Sequence, residues 1–566
     1  MAFGTRITRL ATVLVLAASA LSAQEGALVV STTPGQQPRG AKLGAPELRL
    51  SLQDVVSIAL EHNINLEVSR LGLASAGEGV IAATGIFDPY AQISFTEQYS
   101  ESPATNQLVG AQVNEVKRRV FDLSYGQAFA TGGTLGVAWD NTRTETNSSF
   151  YFLNPNYSSG LNLRLTQPLL QGFGTDVNRA QIEVARRNRD ISGLQFEKIV
   201  ITTIQAVEDA YWNLVYQIDN LKVKQQSLRL AQDLLDQTQT RVRIGTSAPI
   251  DIVQSEATVA AREQDIIVAE NAVQGAADTL KLLLGFEDPE DWKSRVLPTD
   301  TLETATVTAE LDSAIEESLR RRVELRQREL EREIREVSLL AADNATLPAL
   351  DLSVGYGLSG VGGTYTQRDP NTGEIIAVIP GGWDDAMQQI GDRDYNQWSA
   401  GLAFTYTFGN NAARAARAQR RYDLAIARQT MAAERQAVID ETRRAVRGLA
   451  DSAKSIAAAE KARVLAERNL DAEQKKFANG MSTNYQVLLI QEDLAVAQAA
   501  ELLSRVAYRR SAVAYEVAVG KLLERRGVAL QGGGEAKEPH TFLSEAGWLK
   551  YGSWAGDPAG EAEAGK

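Results

Sequence analysis

The chain has 566 residues, of which 44% are apolar and 23% charged, with no Cys, two His and a formal charge of -13. This is the composition of a folded protein. It excludes disulfides and thiol chemistry and leaves almost nothing for a Cys/His metal cluster, and the acidic balance argues against nucleic acid as a partner.

Residues 1–23 carry Arg6 and Arg9, an apolar stretch from Leu10 to Leu21, then Ser22 and Ala23. They read as a secretory signal peptide, too short for a membrane span. Beyond it no apolar run approaches the ~20 residues of a spanning helix, so any crossing of a membrane falls to β-strands. Residues 24–48, rich in Gly, Pro, Gln and Thr, read as an extended arm.

Helical pattern begins near Leu50, where Ser51 and Asp54 have capping-box spacing with Asp in place of Glu. It runs to about Ala83 and is broken by Asp88-Pro89. From Tyr90 the texture alternates, with Ala91, Ile93 and Phe95 against Gln92, Ser94 and Thr96. Further strand-like runs lie around Phe121, over Thr134–Trp139 and over Leu161–Thr166, with Gly132-Gly133 as a turn. Gln167-Pro168-Leu169-Leu170 ends this region, and a helix is expected from about Asp176 to Arg243.

Within that helix Val207, Leu214, Leu221, Leu228, Leu235 and Val242 stand seven apart, interleaved with Ile204, Tyr211, Ile218, Gln225, Gln232 and Gln239. This is a coiled-coil seam that becomes wetter toward Gly245. Gly245, Ser247 and Pro249 then mark a helix stop and a new start, so the rod and its return to Leu284 form a hairpin.

The plan recurs. Ala231, Leu235, Asp236, Gln239, Gly245, Ser247 and Gly285 reappear 235 positions later as Ala466, Leu470, Asp471, Gln474, Gly480, Ser482 and Gly520. At an offset of 259, Leu60, Leu66, Leu71 and Pro89 match Leu319, Leu325, Leu330 and Pro348. The first β region is therefore 24 residues longer than the second, with a hairpin near Phe121–Trp139 as the expected excess.

The resulting division is a first repeat, 49–285, with a helix, strands within 89–168 and a hairpin turning near 245. A linker, 286–308, leads to a second repeat, 309–522, with a helix, strands within 349–409 and a hairpin turning near 480. An extension and flexible tail occupy 523–566. The lengths suggest columns of equal height if the 249–284 helix stacks with 310–342 and the 484–521 helix with 51–83. Four or six strands per chain cannot close a membrane barrel, so strands from several chains would be needed.

The order of these features around a duplication resembles the TolC-like outer membrane efflux family over about residues 48–525. The resemblance rests on Leu52-Gln53-Asp54 through Asn63, on Asp88-Pro89, on Gln167-Pro168-Leu169-Leu170 and on the turns Arg243–Asp251 and Phe477–Tyr485. It implies a mixed α and β membrane protein: a homotrimer in which a helical coiled-coil barrel in the periplasm joins a transmembrane β-barrel built from three chains.

It further implies a passive conduit in the outer membrane of a Gram-negative-type bacterium, with no cofactor and no catalysis. Such a conduit serves efflux or type I secretion with a periplasmic adaptor and an inner-membrane pump or ABC exporter. The adaptor would dock at the turns, on Arg243, Gly245, Thr246, Pro249, Asn479, Gly480, Met481 and Ser482.

Asp251 and Gln486 occupy equivalent positions and are candidates for an aperture, although Tyr485–Leu489 lacks the carboxylates that constrict relatives. Arg241, Arg243, Lys475 and Lys476 are candidates to clamp against Asp251. Tyr90, Tyr125, Trp139, Tyr151, Trp398 and Tyr406 are candidates for an aromatic belt facing lipid. The competing reading is a periplasmic adaptor or coiled-coil scaffold without a barrel.

Overall fold

The structure is a computed structural model describing residues 28–32, 47–103, 112–148, 150–302, 309–368 and 374–532. The signal peptide, most of the N-terminal arm and the tail with His540 lie outside these residues. In chain order the elements are β1 (Leu28–Thr32), β2 (Glu47–Leu50), α1 (Leu52–His62), α2 (Ile64–Thr84), β3 (Tyr90–Pro103), β4 (Val113–Ala128), β5 (Thr134–Thr146) and β6 (Leu153–Pro168). Then come α3 (Thr175–Asn178), α4 (Ala180–Arg243), α5 (Ile250–Leu284), α6 (Pro289–Trp292), β7 (Arg295–Pro298), α7 (Leu311–Arg321) and α8 (Val323–Asn344). The rest are β8 (Ala349–Arg368), β9 (Ile375–Ile379), α9 (Trp383–Asp392), β10 (Tyr395–Thr405), α10 (Asn411–Ala478), α11 (Asn484–Val519), α12 (Leu522–Arg525) and β11 (Val528–Gly532).

Two compact units emerge. The first draws on Met1–Ala74, Gln195–Arg321 and Asp440–Lys566, the second on Ser75–Leu194 and Arg322–Ile439.

The first unit is helical, with two small sheets: β1 antiparallel to β11, and β2 parallel to β7. Its main core gathers Leu50, Val55, Val200, Ile204, Val207, Leu214, Leu280, Leu284, Val296 and Leu522. Burying each such side chain contributes ~1.5–3 kcal/mol. Two of the buried polar groups show the pairing that burial favours. Tyr211, fully buried, donates its hydroxyl to Asp300 Oδ2 at 2.7 Å. Burial first, then the Asp300 carboxylate, pushes the phenol above its usual pKa. Glu208, 1% exposed, takes both forks of Arg526 at 2.5 and 2.8 Å.

The capping box forms: Ser51 Oγ accepts Asp54 N–H at 3.2 Å, and the Asp54 carboxylate accepts Ser51 N–H at 3.0 Å. The single helix expected over 51–83 is nevertheless two. Asn63 leaves helical geometry with ψ 120°, its Oδ1 accepts the N–H groups of Asn65 and Leu66, and its Nδ2 reaches the Leu283 carbonyl at 2.8 Å. One side chain thus starts α2 and caps the end of α5. The helix expected over Glu310–Ala342 is broken likewise at Arg322, which has ψ 128°.

The stacking read from helix lengths is corrected. Gly285, which closes α5, lies so near α1 that a Cβ there would stand 2.1 Å from the His62 carbonyl oxygen. Gly520, which closes α11, meets the end of α7, where a Cβ would stand 2.9 Å from Arg321 Cβ. The return helices therefore meet the opposite short helices from those the length arithmetic paired. Column lengths carry no information about which partner is used.

The heptad seam also needs correction. Ile204, Val207, Tyr211 and Leu214 are buried, but nearer Gly245 the buried positions are Ser227, Ala231, Leu234 and Thr238. They lie one residue before Leu228, Gln232, Leu235 and Gln239. There α4 turns its stripe toward the second hairpin, where Leu234 joins Leu470, Phe477, Val487, Ile490 and Leu494.

The second unit is built on one sheet in the order β10-β8-β6-β5-β4-β3, with β9 added to β8. Every neighbouring pair is antiparallel. Six main strands resolve the choice between four and six. Only strands are expected within 349–409, so the ten-residue helix α9 is a departure from that reading, as is β9, a five-residue strand off the main order.

Candidate functional site: the hairpin turns and the two-faced sheet

Both hairpin turns follow one backbone recipe. In the first, Gly245 has φ 80°, its N–H bonds Val242 O at 3.0 Å, and Thr246 N–H bonds Arg241 O at 2.8 Å. In the second, Gly480 has φ 73°, with Gly480 N–H on Phe477 O at 3.1 Å and Met481 N–H on Lys476 O at 2.9 Å. These are Schellman closures, which satisfy the last carbonyls of each rod and need positive φ at the glycine. Arg243, Thr246, Pro249, Asn479 and Met481 are exposed, and Ser482 is half-buried with its hydroxyl on Glu473 Oε1 at 2.5 Å. That bond first, then Lys476, holds the Glu473 carboxyl below its usual pKa.

The charged clamp on Asp251 is not formed within the chain. Arg241 instead lies 4.0 Å from the centroid of the Phe477 ring and donates to the carbonyls of Phe477 at 2.6 Å and Ala478 at 3.2 Å. Those carbonyls lie at the negative, C-terminal end of the α10 dipole, the natural target for a cation, and the Phe477 ring adds a second attraction. Lys475 pairs with Asp471 and Lys476 with Glu473, each on its own helix. The Asp251 carboxylate accepts the N–H of Ala248 at 3.2 Å, and Gln486 is exposed.

The residue that joins the two hairpins was missed. Asn484, 3% exposed, accepts the Thr238 hydroxyl at 3.1 Å and donates to Ser255 Oγ at 2.8 Å and Asp251 O at 3.2 Å. A signal existed: at the 235 offset Asn484 faces Pro249, a polar residue where the other copy has none. Around these turns the apolar side chains Ile244, Ile250, Val253, Met481 and Tyr485 are each more than half exposed.

The sheet of the second unit has two chemically distinct faces. One face presents Ile93 and Phe95 on β3, Leu123 and Tyr125 on β4, Leu135, Val137 and Trp139 on β5, Leu161, Leu163 and Leu165 on β6, Val354 and Tyr356 on β8, and Trp398, Leu402 and Phe404 on β10. The other presents Gln92 and Ser94, Asp122 and Ser124, Asp140, Asn162 and Arg164, Ser353 and Gly355, and Gln397 and Ser399. Alternation puts lipid-facing and lumen-facing residues on opposite sides of a membrane strand. Of the aromatic candidates, Tyr125, Trp139 and Trp398 share the apolar face. Tyr90 lies on the other, its ring filling the space over Gly126. Tyr151 and Tyr406 fall outside the strands.

The short helix α9 packs on the apolar face. Trp383 Nε1 donates to Asn141 Oδ1 at 3.0 Å, and its ring lies 5.9 Å from that of Trp139. Gln389 accepts from Val361 N–H and donates to Val361 O, both at 2.9 Å, pairing the backbone of β8 where β10 has already ended. Among the described residues no group of His, Asp and Glu could hold a metal ion, and no helix is long and apolar enough to cross a membrane.

The chain is 25% identical to the outer membrane protein TolC of Escherichia coli strain K12 over 362 residues, 62% of this chain and 67% of that one. It is 28% identical to the pyoverdine export outer membrane protein OpmQ of Pseudomonas putida over 181 residues, 32% of this chain and 37% of the relative. Its fold is similar to the CmeC outer membrane channel of Campylobacter jejuni, with a TM-score of 0.60 at 14% identity, covering 90% of this chain and 98% of that one. The open-state MtrE outer membrane channel of Neisseria gonorrhoeae gives 0.57 at 15% identity, covering 89% and 98%. The outer membrane efflux protein family model matches residues 55–286 and 314–521, and the chain belongs to that family.

Proposed function

We propose that this protein, the outer membrane channel of an efflux system, works as a homotrimeric passive conduit. The observation that carries the reading is the sheet of six main strands, apolar on one face and polar on the other, whose edges β3 and β10 have no strand partner among the described residues. In hydrocarbon an open edge leaves backbone groups unsatisfied, and six strands are fewer than the roughly eight of the smallest membrane barrels. Copies must therefore supply each other's edges, and the family resemblance favours three.

The exposed apolar residues Ile244, Ile250, Met481 and Tyr485 support docking of a periplasmic adaptor at the two turns, with Arg243, Gly245, Thr246, Pro249, Asn479, Gly480 and Ser482 in the contact and an inner-membrane pump or ABC exporter beyond it. Asp251 and Gln486 line the aperture between copies in this reading. The twin junctions Gly285–His62 and Gly520–Arg321, which obey both the 235 and 259 offsets, support two repeats, 49–285 and 309–522. No catalysis is assigned; binding and passage suffice.

The test is an outer membrane fraction run unheated and heated in SDS. A trimer band that collapses to monomer on heating is expected, and a soluble or monomeric protein would refute the reading. A photocrosslinker at Ser482 should capture the adaptor.

A further inference from the structure

We infer that the membrane barrel has eighteen strands, six from each of three copies, sealed where β10 of one copy lies antiparallel to β3 of the next. The inference rests on the trimeric reading above and goes beyond it by assigning the seam and the width of the pore.

The registers carry the argument. One unbroken cross-strand row on the apolar face runs Ala91, Tyr125, Val137, Leu163, Tyr356, Trp398, and the next begins Ile93, Leu123, Trp139, Leu161, Leu358. On the other face the matching rows are Gln92, Ser124, Ala138, Asn162, Gly357, Gln397 and Ser94, Asp122, Asp140, Gly160, Ser359, Tyr395. All six strands share one apolar level and one polar level. A barrel using only four per copy would have to leave the β3–β4 hairpin in water, with Ile93 at 70% and Phe95 at 67% exposure. Between β5, β6 and β8 the sheet is further held by α9, which bonds Asn141, Ser159 and Val361 on the three strands.

The edges fit each other. Every residue of β10 is exposed, as is every residue of β3 but Ser94. Five antiparallel steps separate them, so β3 and β10 run in opposite directions, and an antiparallel seam closes the ring with the same contact three times. Barrels of 16–18 strands enclose an aqueous channel, here lined by the polar rows.

The natural chain has no Cys, so the seam can be read by disulfide formation in outer membranes. Gln397→Cys on β10 is combined in turn with Gln92→Cys, Ser94→Cys, Thr96→Cys or Gln98→Cys on β3, and with Ala138→Cys, Asp140→Cys or Thr142→Cys on β5, all on the polar face. Each single variant must first give the SDS-resistant trimer. One or two β3 partners should convert most of the protein to a heat-stable, reducible band of three chains, and no β5 partner should. A trimer that crosslinks only through β5, or through neither strand, overturns the eighteen-strand barrel. Protein that is monomeric in every single variant, as in the parent, overturns the trimer instead.

Discussion

Gly285 and Gly480 offer a controlled measurement of what one backbone contact contributes. Both end a long helix in the left-handed region at φ 73°. Around Gly480 a Cβ would meet nothing within 4 Å, whereas at Gly285 it would stand 2.1 Å from the His62 carbonyl oxygen and 2.8 Å from its carbon. Alanine at either position incurs the left-handed strain, about 1–2 kcal/mol. It recovers roughly 0.4–1 kcal/mol from a less flexible unfolded chain. Only Gly285→Ala must also push apart α5 and the α1–α2 break, where the obstacle is backbone and cannot rotate away. Overpacking of that kind destabilises by about 1–3 kcal/mol. Gly480→Ala should therefore destabilise by about 1 kcal/mol and Gly285→Ala by roughly 2–4 kcal/mol. Guanidinium unfolding of the detergent-solubilised protein, followed by far-UV circular dichroism with the slope held common, measures both. Equal losses would refute the claim that the His62 contact constrains Gly285.

Other outcomes follow from the same geometry. Gly480→Pro, which cannot reach positive φ and removes the N–H bonded to Phe477 O, should abolish export while SDS-resistant trimers persist; loss of the trimer would show that the distortion is not local. Asn484→Ala should destabilise by about 1–3 kcal/mol by stripping partners from buried Thr238 and Ser255, with faster amide exchange at both turns, and unchanged exchange would contradict the linking role. At Glu501 burial pushes the carboxyl pKa up, but Arg505 and Arg463 more than offset it, so the folded value lies below the ordinary one. Its stabilisation is present above the ordinary carboxylate pKa and is lost as pH falls through the lowered folded value. Glu516, raised by burial, acts with the opposite sign, so the comparison is with Glu501→Gln, whose unfolding midpoint should fall less between pH 5 and pH 3. Parallel curves would refute the assignment.

How much was legible varied with the range of the interaction. The turn that ends α10 lies near 480 as expected, because Gly480 and the residues around it act through their own backbone. Asn63 was legible as a residue but not as a break, since what holds it there is Leu283, 220 positions away. Arg241 is a candidate partner of Asp251 by charge and closeness in sequence, yet it binds the C-terminal carbonyls of α10 and the face of Phe477. Helix α9 has apolar residues at helical spacing, Trp383, Ala386, Met387 and Ile390, but its place on the sheet is set by the distant β8 backbone at Val361.

What the sequence determined by itself was the two offsets, the long rods, the turn glycines and the alternation that gives each strand an apolar and a polar side. These are set by residues a few positions apart, or by copies of the same pattern. Only the tertiary structure decided how those sides line up across six strands, which short helix each return helix meets, and which cation reaches which carbonyl. Such choices depend on backbone groups brought together from distant parts of the chain, and nothing in the local pattern names the partner.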